Sequence, residues 1–300
     1  MISNKEPEEI KRIIEEEYTP EIEAIFEHIR LYMEVKGLEN KYSVSYKLDL
    51  FNVGFNNSSK KISDDNYLIE LRLFTPVELV KRLERKRIPQ DNIHTIVSNL
   101  LSLIIWHEFF HISFGHCTIP KNVIIPSKKR QQFEVMCDIM AIQESLANVF
   151  ICADAAYGDD RYIPLRSILS FFFIYFKELE IDELEKMKNQ IKKQDINDKY
   201  LTPTSCERTH PFITIRFDYL CIVFEKMIKV RYPELDIDRV YMESINLLMD
   251  LGYKDPMKIN AFYRRNKKYE NELLNIDFDS VLQDVKTNYI FDVENTGSGR

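Results

Sequence analysis

A chain of 300 residues, 45% hydrophobic and 30% charged, has the balance of an ordinary soluble globular protein. Only seven glycines, set among many Glu, Lys, Leu and Ile, favour a mainly helical fold. A net charge of −7 argues against nucleic acid as a partner, and Arg264, Arg265, Lys267 and Lys268 read as a solvated helix face.

The first residues, MISNKEPEEIKRIIEEEY, hold no apolar h-region of a signal peptide. Cysteines 117, 137, 152, 206 and 221 are odd in number and lack CxxC spacing, which predicts reduced thiols in a cytoplasm. The apolar runs Ile96–Trp106 and Ser167–Phe176 are too short to span a bilayer by themselves.

Residues 7–36 read as a charged amphipathic helix, set apart as an N-terminal extension over 1–41. Residues 42–55 and 66–74 alternate like strands and flank the polar NNSSKKISDD, which predicts a β-hairpin. Helices are expected over 76–87, 91–115, 128–151 and 164–186. MKNQIKKQDINDKY reads as a loop or frayed end. Further helices are expected from Pro211 to about Arg231, then over 236–252 and 256–288. This predicts a predominantly α-helical α+β protein, with a core over 42–231, a helical region packed on it over 232–290, and a disordered tail over 291–300.

The helix over 91–115 is apolar nearly all round, which predicts burial at the centre of the fold. It ends in IIWHEFFHISFGH. An apolar helix gains nothing from unpaired buried histidines and a carboxylate. His107 and His111 are four residues apart, so about 40° separates them and both imidazoles leave one face. Two such nitrogens suit two corners of a zinc site, and Glu108 on the adjoining face suits the base that deprotonates an attacking water. His116, nine residues on, would point away round a continuing helix. Cys117 reads as a structural thiol rather than a soft ligand. The metzincin pattern fails, because Phe114 and Cys117 stand where it needs Gly and His.

The following helix repeats the anomaly. In RQQFEVMCDIMAIQESLA, Glu134, Asp138 and Ala141 share one face. The two anomalies explain each other if the helices meet around a cation. Glu134 is then the third ligand, Asp138 accepts from a ligating imidazole, and Ala141 permits close approach. In a weaker variant Asp138 itself ligates. In THPFITIR, His210 precedes Pro211 at a helix start, where it could stabilise an oxyanion. Arg216 could anchor a carboxylate, either a site acid or the substrate backbone.

Taken in order, HEFFH, EVMCD and THPFITIR resemble the gluzincin arrangement HExxH…ExxxD…THPxxxxR. The pattern is similar to that of HtpX-like and CAAX-processing metallopeptidases, whose transmembrane helices have no counterpart here. It is more similar to the phage-exclusion Lit-like peptidases, over about residues 42–225. Cys137 stands where that pattern usually has Ala, and residues 1–41 and 226–300 match nothing in it. The resemblance implies a zincin-like core with one zinc on His107, His111 and Glu134. Glu108 becomes the general base, Asp138 orients a ligand, and His210 stabilises the transition state beside Arg216. It further implies a regulated endopeptidase in phage defence that cleaves a host translation factor, with an activating peptide or protein. A flanking helix or the 118–130 loop is expected to restrict the cleft. Two alternatives stand beside this: a regulatory peptidase like the ImmA-type repressor-cleaving enzymes, and a binding or toxin module whose zinc is structural or absent.

Overall fold

The computed structural model describes residues 7–49, 57–72, 74–119, 123, 125, 127–156, 158–175 and 213–251. The protein is mostly helical with one small sheet. The first helix, α1 (Pro7–Val35), runs through Pro20, which lies on its exposed side. Tyr18, Ile22, Phe26, Ile29 and Met33 form its buried stripe. Their three- and four-residue spacing is what lets one face of a helix meet a core. At its end Gly37 takes a left-handed φ of 63°, and Leu38 N–H reaches back 2.8 Å to the Met33 carbonyl.

Three strands follow: β1 (Ser43–Asp49), β2 (Ser58–Ser63) and β3 (Asn66–Arg72). Their order is β1-β3-β2. The expected hairpin between the two alternating segments does not form, because β1 and β3 pair in parallel. The hairpin joins β2 to β3 instead, across Asp64 and Asp65. Part of the stretch read as a polar turn is therefore itself a strand. β2 is an edge strand with no fully buried side chain, so burial imposes no apolar alternation on it. β3, at the centre, buries Tyr67, Ile69 and Leu71 on one face.

α2 (Phe74–Arg85) leads through Arg87, a non-glycine residue at φ 61°, into α3 (Gln90–Ser113). α3 is the hub. It packs against α1, α2, β2, β3 and most extensively α4 (Ser127–Ala155). Phe109 and Phe110 are fully enclosed, and each such side chain stabilises the fold by about 1.5–3 kcal/mol. Tyr32 of α1 sets its ring edge-on to Trp106, Phe109 and Phe110, so the N-terminal helix lies directly on the back of HEFFH.

The helix over 162–175 (α5), α6 (Ile213–Arg231) and α7 (Ile237–Asp250) complete the described elements. Ser170 and Ser244 tie α5 to α7: the Ser170 hydroxyl donates to the Ser244 carbonyl at 3.0 Å, and the Ser244 hydroxyl to the Arg166 carbonyl at 3.1 Å. The segments 187–200, 256–288 and 291–300 lie outside the described residues. Two helices, Gln90–Ser113 and Lys129–Ala155, are long and apolar enough to cross a membrane by length and composition, and 67% of that window in the first is buried inside the protein.

Candidate metal centre

The last turns of α3 and the middle of α4 face each other. The face of α4 between them is lined with small groups. Ala141 is fully buried there, and Ser102 of α3 donates to Ser145 of α4 at 3.2 Å. Into this close contact the helices bring His107, His111 and Glu134. His107 Nε2 lies 3.1 Å from His111 Nε2. Glu134 lies 3.3 Å from the first through Oε2 and 3.6 Å from the second through Oε1. A tetrahedral zinc with bonds of about 2.0–2.1 Å has ligand-to-ligand edges of about 3.3 Å. The two imidazole nitrogens and one or other oxygen of Glu134 come close to that spacing, so the three side chains could hold a divalent cation such as zinc.

Electrostatics point the same way. Burial alone would lower the pKa of His107, but Asp138 and Glu134 beside it outweigh that and push it up to about 10. Burial alone would raise Glu134, yet His111 and His107 hold it well below the usual carboxylate range. The pocket is built to contain positive charge. In the bare protein a proton on His107 supplies it, and a bound cation would replace that proton.

Asp138, one turn beyond Glu134, lies with Oδ1 2.9 Å from His107 Nδ1. Arg216 of α6 grips the same carboxylate at two points, Nε to Oδ2 at 2.7 Å and Nη2 to Oδ1 at 2.6 Å. Burial opposes ionisation of Asp138, and the guanidinium and His107 reverse that and keep its pKa low. Of the two uses expected for Arg216, the structure therefore gives it the site acid. The bidentate geometry suits a planar guanidinium and fixes the carboxylate that faces the ligand.

The ligand atoms open on a cavity of about 230 Å³, lined by Asn57, Ser58 and Ser59 at β2, by His107, Glu108, His111 and Glu134, and by His116 and Cys117. Glu108 is only 8% exposed, and among the described residues its carboxylate makes no hydrogen bond or ion pair. It faces the same cavity as His107, His111 and Glu134. Cys117 donates from Sγ to Ser59 Oγ at 3.4 Å, which ties the cavity's floor to the sheet.

His116 does not point away. α3 stops at Ser113, and Gly115 takes a left-handed φ of 78°, which reverses the chain into a 3-10 turn over His116–Thr118. His116 Nδ1 returns to within 2.8 Å of His111 Nδ1. A continuing helix was the wrong premise, and the FGH triplet, with Gly in the position of a helix stop, was the signal. The 118–130 loop is described only in part, and His210 lies outside the described residues.

Comparison with protein-family models, with curated proteins and with solved structures finds no match to this chain.

Proposed function

We propose that this protein is a zinc-dependent endopeptidase with a zincin-like core. The observation that carries the reading is the convergence of His107, His111 and Glu134 at tetrahedral spacing beside the uncommitted Glu108 in one cavity. Zinc there would act as a Lewis acid and lower the pKa of a bound water. Glu108 is the group positioned to accept that water's proton and pass it to the leaving amine. Asp138, held by Arg216, keeps the His107 ring aimed at the ligand position. His210 is proposed as a donor to the developing oxyanion, on the resemblance of THPFITIR alone.

The substrate seat follows from the sheet. Among the described residues β2 pairs on one side only, with β3, and its residues Ser58 and Ser59 line the cavity. An extended peptide adding to its free edge would present a carbonyl to the cavity, with main-chain hydrogen bonds giving affinity that depends little on sequence. The cavity leaves room beside the ligand atoms, which favours a catalytic over a closed structural metal site. A cytoplasmic location is consistent with the free thiols of Cys117, Cys137 and Cys152. Cleavage of a host protein such as a translation factor, activation by a peptide or protein, and a place in phage defence rest on the motif resemblance.

Elemental analysis of wild type and Glu134→Ala tests the site. About one zinc per wild-type chain, with clear loss in the variant, supports it; equal metal content in both overturns it. Glu108→Gln should keep the zinc and lose peptide cleavage by about 10³-fold or more, given what a general base contributes with its metal-held water. Retained cleavage by pure Glu108→Gln protein would sink the mechanism.

A further inference from the structure

The two imidazoles that meet edge to edge at the end of α3 decide a question the ligand set leaves open: what holds His111. His107 has Asp138 behind it. Among the described residues no carboxylate lies in that position for His111; behind its ring lies His116, with the two Nδ1 atoms 2.8 Å apart. His116 is itself fixed. Its ring stacks on Phe133 of α4 at 4.5 Å between centroids and 18° between planes. The Cys137 thiol lies 3.8 Å from its Nδ1. Its Nε2 is buried without a hydrogen-bond partner among the described residues.

A neutral imidazole carries one proton and one lone pair. Resting on the zinc reading above, His111 must keep its Nε2 lone pair for the cation, since that atom faces His107 Nε2 and Glu134. Its proton is then on Nδ1. Two bare nitrogens at 2.8 Å would repel, so His116 Nδ1 must be the acceptor and its own proton must sit on Nε2. We infer that His116 is the positioning residue for His111, a neutral imidazole that fixes the tautomer and ring orientation of the second zinc-binding histidine. The two ligands are thus held differently: one by a carboxylate neutralised by Arg216, the other by an uncharged ring. Outer partners of this kind typically change metal affinity by about 10–100-fold when removed.

The same atoms exclude a simpler alternative. His111, His116 and Cys137 also lie close enough to suggest a second cation site. A neutral His111 cannot serve both sites, because an imidazole that ligates through Nε2 holds its remaining proton on Nδ1; only a bridging imidazolate could do so. The inference therefore predicts one ion per chain, not two.

The test compares wild type, His116→Asn, His116→Phe and Glu134→Ala, with zinc affinity measured by competition against a chromophoric chelator and folding by circular dichroism. Asn places an amide oxygen near the position of Nδ1 and restores an acceptor. Phe keeps the ring on Phe133 and removes it. Expected are a loss of about 10–100-fold in affinity for the Phe variant and recovery of most of it in the Asn variant. A folded Phe variant that binds zinc as tightly as wild type overturns the inference, as do two tight ions per wild-type chain. If Glu134→Ala also binds like wild type, the zinc site itself is wrong; if only the Phe variant does, the role of His116 alone falls. A measurement without mutation covers poor folding of a variant. In zinc-loaded wild type, nitrogen NMR should show His111 protonated at Nδ1 and His116 at Nε2, and the opposite tautomer at His116 would refute the assignment.

Discussion

Asp138 and Arg216 form a buried pair whose value lies in what happens when half of it is removed. Arg216→Met would leave a carboxylate without its guanidinium and should destabilise the protein by about 3–5 kcal/mol, read by urea unfolding. His107 gives a pH prediction for protein stripped of metal. Its pKa is raised from an unfolded value of about 6.5 to about 10, so its contribution is complete below the first value and lost as pH rises through the second. Metal-free protein should therefore lose stability between about pH 6.5 and 10, and saturating zinc should remove that slope. At this scale the sequence was informative wherever a polar residue broke an apolar pattern: His107, His111, Glu134 and Asp138 were visible as anomalies, and the structure brings them together. His116 was not, because its position depends on where a helix stops. That is decided by one left-handed glycine and not by periodicity.

Between elements, the contact of α3 with α4 determines whether the ligands meet at all. Ala141→Leu would force the helices apart and should cost about 1–3 kcal/mol, with zinc affinity falling alongside stability. Chemical denaturation and chelator competition on the same variant check both. The turn between α2 and α3 gives an independent control far in the sequence from the ligands. Arg87 sits at φ 61°, and Arg87→Gly should stabilise the protein by about 0.5–1 kcal/mol without changing zinc binding. The helices could be read from sequence because α1 and α7 bury one face each and α3 is a long run apolar nearly all round. The sheet was read less well. β1 and β3 announced themselves by alternation, but which strands pair, and in which direction, depended on the polar β2, and an edge strand with no buried face leaves no such mark.

For the whole molecule, the metal reading predicts a ligand-linked stability. Zinc at about 100 times its dissociation constant adds about 2.7 kcal/mol, which for a chain of this size raises Tm by several degrees. Chelation should reverse that rise in a thermal melt, and an unchanged Tm would argue against a site in the folded core. The helix α1, set apart in the sequence as an extension, closes over Trp106, Phe109 and Phe110 behind the site. The three proposed zinc ligands fall between His107 and Glu134, on two consecutive helices, whereas Arg216 comes much later in the chain. During synthesis the chain grows at about 5–20 residues per second and its N-terminal part folds first. On the proposed zinc reading, the pocket would leave the ribosome, ready for its ion, several seconds before the guanidinium that neutralises Asp138 exists. Metal loading and the closing of that charge pair would thus be separate events in time, the one set by α3 and α4 and the other by α6.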